Sequence, residues 1–202
     1  MIEASIFDMG GVLIESPRTA VGDHLQKELG IDQETVDAIW KDLIPLLGSG
    51  KIDEKEFWER VGEQYEIRPV SLDEDLLGKP FLETLEKNNE LLEYIKGLGQ
   101  KGIKLAVLSN TIEPHAKPVR ESGVFEPFDF VFLSHEVGSR KPDPAIYEHA
   151  IEVMGINPAS TVYVDDDPEN VGVAQQLGMH GIVAKDPKQV IKDLENLVGQ
   201  GA

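Results

Sequence analysis

Apolar residues along this chain fall into two alternating patterns. Short, nearly continuous runs cover Ala4 to Phe7, Ile103 to Leu108, Phe128 to Leu133, Thr161 to Val164 and Gly181 to Ala184. Runs this short and this uniformly apolar predict strands buried on both faces. Between them the apolar positions recur at helical spacing: Leu91, Leu92, Ile95 and Leu98, then Ile146, His149, Ala150 and Val153. Val171, Ala174, Gln175 and Gly178 continue the pattern after Pro168, a residue suited to a first helical turn. A last helix opens at Asp186-Pro187, a cap followed by proline, and runs through Val190, Ile191, Leu194 and Leu197. The glycines between Gly97 and Gly102 mark a helix end before the second strand. Strands alternating with helices imply an α/β fold, a Rossmann-like parallel sheet with helices on both faces.

One stretch breaks the alternation. From Ser16 to Leu85 the sequence holds no convincing strand. Ser16-Pro17 opens a helix with Leu25 and Leu29 on one face, and Thr35 to Leu47 reads as a second helix with Pro45 near its end. Asp53-Glu54-Lys55-Glu56 is a capping-box pattern ahead of Phe57, Trp58 and Val61, and Ser71 to Leu77 is a weaker helix. That much helix exceeds a simple crossover and predicts an inserted all-helical cap. The expected division is a core of residues 1–15 and 86–202 and a cap of residues 16–85. A chain of 202 residues suits one core with such an insert, not two large independent domains.

Composition narrows the function. The formal net charge is −18, a surface that repels nucleic acid and anionic membranes, so neither is an expected partner. No window approaches the ~20 apolar residues of a membrane span. The N-terminal residues lack a basic leader, which makes a cytoplasmic location the expectation. There is no cysteine, which excludes disulfides, thiolate metal sites and thiol nucleophiles.

The informative feature is where polar residues fall. Ligands of open parallel sheets bind beyond the carboxyl ends of the strands. Here one predicted strand after another ends in a small polar or acidic residue: Asp8, Ser109, Ser134 and the Asp165-Asp166-Asp167 group. One such ending is an ordinary cap or turn; several describe a cluster on one sheet edge. If the first and fourth strands are neighbours, their carboxylates repel, and a divalent cation preferring hard oxygen ligands relieves that. Capping of the helix at Pro168 accounts for one of the three aspartates, not the set. Gly10-Gly11 allows the backbone to turn sharply after Asp8 and approach a ligand. Lys141 lies in Arg140-Lys141-Pro142-Asp143-Pro144, where two prolines stiffen the turn and suit a positioned charge.

Together these segments resemble the haloacid dehalogenase-like hydrolase superfamily. Phe7-Asp8-Met9-Gly10-Gly11-Val12-Leu13 matches its first motif, Leu108-Ser109-Asn110-Thr111 the second and Arg140-Lys141-Pro142-Asp143-Pro144 the third. Val164-Asp165-Asp166-Asp167-Pro168-Glu169-Asn170 matches the fourth, and the helical insert stands where the family places a cap. The chain is similar to the group of bacterial sugar-phosphate phosphatases and the N-terminal phosphatase domain of soluble epoxide hydrolase. The resemblance implies a Mg²⁺-dependent phosphatase of small phosphate monoesters, sugar phosphates among them, working through an aspartyl-phosphate on Asp8. It implies Mg²⁺ on the Asp8 carboxylate, the Gly10 carbonyl and the Asp166 carboxylate. Ser109 and the Asn110 backbone would hold phosphoryl oxygens, and Lys141 would neutralise charge. Asn170 stands where many members carry a second acid, and Asp165 would lie behind the metal ligands.

There is one departure. The family's first motif usually has an aspartate two residues after the nucleophile, which protonates the leaving group and activates water; here that position is Gly10. General acid–base help of this kind is typically worth ~10²–10⁴-fold. Glu15, Asp165 and His24 are the candidates to replace it. The alternatives are a 2-haloacid dehalogenase, which needs no Mg²⁺, and a catalytically weak protein that binds at the same site. His149 is expected to be a packed core or boundary residue, and His115 and His135 are candidates to line the cleft. Trp40, Phe57 and Trp58 are expected to form the small core of the insert, and Arg18 to be exposed rather than to face the substrate.

Overall fold

The structure is a computed structural model, and it describes residues 1–15 and 18–199. Ser16, Pro17 and the Arg18 side chain lie outside the described part, and with them the expectations of a helix start and of Arg18's exposure.

Five strands form one sheet: β1 (Ala4–Phe7), β2 (Lys104–Ser109), β3 (Phe130–Leu133), β4 (Thr161–Asp165) and β5 (His180–Val183). All neighbours are parallel, in the order β3-β2-β1-β4-β5. Each strand lies within two residues of its predicted run. The first strand is therefore central, with Phe7 level with Val107 on one side and Val164 on the other. Because β2 and β4 flank β1, the residue after β1 sits where the strand order reverses, the usual ligand crevice of such sheets.

Between β1 and β2 lie α1 (Arg18–Leu29), α2 (Gln33–Asp42), α3 (Ile44–Leu47), α4 (Glu54–Gln64), α5 (Gly78–Glu83) and α6 (Asn89–Gln100). The remaining helices are α7 (Glu113–Glu121), α8 (Ser134–Val137), α9 (Pro144–Met154), α10 (Pro168–Gln176) and α11 (Pro187–Gly199). Alternate strand residues feed opposite layers. Ala4, Ile6 and Tyr163 pack with Ile146 and Ala150 of α9 and with Ala174 of α10. Phe7, Val107 and Val164 join Ile95 of α6 and Leu194 of α11 in the other layer. That second cluster continues without a break into the insert through Leu25, Ile39, Phe57 and Phe81. Phe57 and Trp58 are buried there, as their helical spacing implies. Among the described residues no helix is long and apolar enough to cross a membrane.

Three local expectations are corrected. The single helix over Thr35 to Leu47 is two. α2 stops at Asp42 and α3 restarts at Ile44, because Pro45 lacks the N–H that would continue the ladder and instead takes a first-turn position. Ser71 to Leu77 is one 3₁₀ turn, Leu72–Glu74, ended by Asp75 at a left-handed φ of 41°. The Asp75 carboxylate then accepts the Gly78 N–H at 2.9 Å and starts α5. Gly78 and Pro80 hid that helix as chain breakers, although proline is tolerated in a first turn whose N–H groups are free. On α9 the buried stripe is Ile146, Tyr147, Ala150 and Met154. His149 is exposed, touching Phe132 only by its ring edge at 5.8 Å between centroids, and Val153 is exposed too.

The contact of β5 with α10 depends on a glycine. A Cβ on Gly181 would lie 2.5 Å from Val171 Cγ1 and 2.9 Å from Gln175 Cγ. Gly181→Ala is expected to cost about 1–3 kcal/mol by overpacking, read as a lower urea midpoint. An unchanged midpoint would contradict this packing of helix on strand.

Candidate active site

Asp8 leaves the end of the central strand with its N–H donated to the Val164 carbonyl at 2.8 Å, which ties it to β4. Its side chain is nearly buried. Lys141 Nζ reaches it from the loop before α9, 2.8 Å from Asp8 Oδ1, and also donates to Asp165 Oδ2 at 2.7 Å. Asp165 has no solvent exposure and is fully used. Tyr163 Oη donates to Oδ2 at 2.6 Å, the Asp167 N–H to Oδ1 at 2.9 Å, and Asn170 Nδ2 to both oxygens at 3.1 and 3.3 Å. Asp167 itself caps α10 by accepting the Glu169 N–H at 2.8 Å. The three consecutive aspartates thus divide into an anchor for Lys141, a cleft carboxylate (Asp166) and a helix cap.

Burial pushes the Asp8 carboxyl up to about 6, against the pull of the Lys141 ammonium, and the Asp165 charge adds to the rise. Burial also opposes the charge on Lys141, but Asp8 and Asp165 more than offset it and hold the ammonium above the usual lysine value. The backbone carrying Lys141 is clamped by Asn110. Asn110 Oδ1 accepts the Lys141 N–H at 2.8 Å, and Asn110 Nδ2 donates to the Lys141 carbonyl at 2.8 Å. The amide side chain of Asn110 is spent on positioning, while its neighbour Ser109 lines the cleft beside Asp8 and Lys141.

The expected residues Asp8, Gly10, Ser109, Asn110, Lys141 and Asp166 all line one cavity of about 370 Å³. Ser134 is at the same sheet edge but does not line it. Its hydroxyl accepts the Thr111 N–H at 3.0 Å and donates to the Gly48 carbonyl of the insert, so it fastens the insert to the core. Of the three candidates for the missing acid–base group, Glu15 and His24 do not line this cavity, and Asp165 has no free oxygen. Gly10 has open space, since a Cβ there meets nothing within 4 Å. Gly11 is the glycine the turn requires. Its φ is +75°, and a Cβ would run into the Asp166 carboxylate.

The donor set suits a hard divalent cation. Carboxylate oxygens of Asp8, Asp165 and Asp166 lie within 4.8 Å of one another, and with Asp165 committed the pair left to a cation is Asp8 and Asp166. Lys141 serves only Asp8 and Asp165, and Asp166, whose carboxyl is raised by burial and by the Asp165 charge, has no basic partner within 4 Å among the described residues. Oxygen ligands on one side of a partly open site are the arrangement Mg²⁺ accepts. A second acidic group, Glu113, His135 and Glu136, lies elsewhere. Arg120 pairs with both glutamates and His135 Nε2 is 3.1 Å from Glu113, so that group is an ion-pair network and His135 does not reach the cleft.

The structure adds residues that the sequence reading left out of the site. Trp40, assigned there to the core of the insert, lines the cavity together with Ile44 and Phe81. Arg140 lines it with no acid within 4 Å among the described residues, and burial lowers its pKa. Its place directly before Lys141, in a chain with 37 acidic residues against 19 basic ones, was the available signal. His115 does line the cleft, stacked on Phe81 at 4.3 Å between ring centroids and with Nε2 buried and unpaired.

Parallel sheets place chemistry at this edge, and here it holds a nearly buried carboxylate paired with an ammonium, in a cavity that the helical insert also lines. The profile of the haloacid dehalogenase-like hydrolase family matches residues 2–178, and the chain belongs to that family. It is 30% identical over 203 residues to a sesquiterpene phosphatase of Aspergillus oryzae, covering 98% of this chain and 97% of that one. It is 28% identical to a D-ribitol-5-phosphate phosphatase of Bacteroides thetaiotaomicron over 88% of this chain and 89% of that protein. A solved haloacid dehalogenase family enzyme of Bacteroides thetaiotaomicron, in complex with magnesium and inorganic phosphate, superposes with a TM-score of 0.78. It shares 26% identity, with 92% of this chain and 95% of that chain covered.

Burial holds the His115 imidazole down, to about 4 against a usual 6.5, although its hydrogen bond to the Leu77 backbone works the other way. Its folded pKa lies below the unfolded one, so the unfolded chain takes up the extra proton first. The stability it contributes is complete above pH 6.5 and is lost as pH falls toward 4. Relative to wild type, His115→Gln is expected to gain on the order of 3 kcal/mol between pH 6.5 and 4, measured by urea unfolding at each pH. A difference that stays flat with pH would contradict the burial of a neutral ring.

Proposed function

We propose that the chain is a Mg²⁺-dependent phosphatase of small phosphate monoesters, with Asp8 as the nucleophile. The observation that carries this reading is the pairing of Asp8 with Lys141, itself locked to Asp165. Lys141 holds Asp8 Oδ1, which leaves Oδ2 to attack phosphorus. The P–O bond to the leaving group breaks as the bond from Asp8 forms, giving an aspartyl-phosphate. Water then attacks phosphorus, releases inorganic phosphate and restores the Asp8 carboxylate. The Ser109 hydroxyl and the Asn110 backbone N–H are donors for phosphoryl oxygens, and Lys141 and Arg140 provide positive charge in a chain of net charge −18. Asp8, the Gly10 carbonyl and Asp166 would hold Mg²⁺, which when bound acts as a Lewis acid on the phosphoryl group. The magnesium and phosphate bound by the Bacteroides neighbour support this assignment.

Two similar proteins are phosphatases, one of a sesquiterpene and one of D-ribitol 5-phosphate. Both support the reaction and differ on the leaving group. The dehalogenase alternative needs no Mg²⁺, so halide release unaffected by EDTA would favour it.

Asp8→Asn is expected to reduce phosphate release from p-nitrophenyl phosphate to background, and EDTA to do the same to the wild type. Retained turnover in the variant would remove Asp8 from the mechanism. The open space at Gly10 generates a second expectation. Gly10→Asp is expected to raise turnover of alkyl phosphates by about 10²-fold and aryl phosphates less, because phenolate departs without a proton. An unchanged aryl-to-alkyl ratio would count against loss of the general acid.

A further inference from the structure

Phosphoryl chemistry occupies one end of the cavity, around Asp8, Lys141 and Asp166. The other end must receive the leaving group, and its walls differ in kind. The insert contributes Trp40 from α2, Ile44 from α3, Phe81 from α5 and the backbone at Gly48. None of these side chains is charged, and the indole N–H of Trp40 is their one hydrogen-bonding group. The core adds Ile14 and Ile112 to the apolar lining.

Several of the polar groups nearby are already committed. Both amide atoms of Asn110 hold the Lys141 backbone, and Asn170 Nδ2 holds Asp165. Thr111 is buried, with its hydroxyl toward the Ile112 carbonyl at 3.4 Å. Arg140 offers a cation next to Lys141, fit for a phosphoryl oxygen, and His115 Nε2 offers a single polar atom at the edge of a ring lying flat on Phe81. That inventory can serve a phosphate and two further polar contacts, from His115 and Trp40, fewer than the hydroxyls of a polyol. A polyol buried here would leave hydroxyls unpaired, at about 1–3 kcal/mol each. An apolar group gains about 25 cal/mol for every Å² of its surface removed from water.

Resting on the phosphatase reading above, we infer that the substrates of this site are phosphate monoesters with an apolar leaving group, a hydrocarbon or aromatic alcohol rather than a sugar. Trp40, Ile44, Phe81 and Ile112 form its pocket. The chemistry agrees with the walls for the aromatic case, since a phenolate needs no proton from the residue that Gly10 replaces.

The test separates apolarity from leaving-group acidity. The full-length protein with Mg²⁺ is given two phosphates of primary alcohols, cyclohexylmethyl phosphate and glucose 6-phosphate, and kcat/KM is measured for each. The expected preference for the apolar ester is about 10²-fold, the factor from burying roughly 100 Å² of apolar surface. Ile44→Gln, a change at a half-buried position, is expected to narrow that preference to about 10-fold or less by placing an amide in the pocket and removing apolar contact. Phe81→Tyr serves as the second variant, with the same direction expected. A sugar phosphate turned over as well as the apolar ester, or better, would overturn the inference and leave the phosphatase reading standing. A preference that neither variant narrows would overturn the assignment of the pocket. No metal-dependent turnover of either ester or of p-nitrophenyl phosphate would overturn both readings.

Discussion

An ammonium group removed from water has to be held by charge, and in this protein that group is Lys141. It is 4% exposed and lies within 2.8 Å of two carboxylates, Asp8 and Asp165. Removing one partner from such a buried arrangement generally costs about 3–5 kcal/mol, because the remaining charge is left unpaired. Much of the surrounding structure can be understood as support for this triad. Asn110 fixes the backbone of Lys141, and Tyr163, Asn170 and the Asp167 N–H hold Asp165 in one orientation. The parallel pairing of β1 with β4 brings the two carboxylates together in the first place. The result is a carboxylate with one oxygen tethered to Lys141 at the wall of the cavity.

The helical insert completes the cavity rather than merely covering it. Its apolar core is continuous with that beneath the sheet, and Ser134 links the core to the backbone of the insert at Gly48. The cavity is therefore built from two chemically different halves. The sheet edge supplies charge and hydrogen-bond donors, and the insert supplies Trp40, Ile44 and Phe81. On the proposed reading the reaction belongs to the sheet edge, and discrimination among leaving groups to the insert.

Much of this was legible in the sequence, for identifiable reasons. Strand runs buried on both faces are continuous in hydrophobicity, so their ends, and the polar residues at those ends, are visible without coordinates. The grouping of Asp8, Ser109, Asn110, Lys141 and Asp166 followed from that and from the family motifs. What was not legible depends on packing. Helical periodicity places His149 and Val153 on the same stripe as Ala150, but the face α9 turns to the core buries Tyr147 and Met154 and leaves those two exposed. Trp40 looks like any aromatic residue of a small helical core until the cavity beside it is seen. α5 was hidden because Gly78 and Pro80 look like breakers, while the cap that starts the helix comes from Asp75 at a left-handed turn. Ser134 shares the signature of a site residue and serves as a fastener, a distinction that residue type alone does not contain.

The central claim is that the Asp8 carboxylate attacks phosphorus directly. The most direct measurement is a rapid acid quench of the protein during turnover of a radiolabelled phosphate ester with Mg²⁺, followed by digestion and identification of the labelled peptide. The account predicts label on the peptide carrying Asp8, formed and discharged at rates that accommodate turnover, and none in Asp8→Asn. Steady turnover with no label on that peptide at any quench time, or label on a different residue, would contradict it.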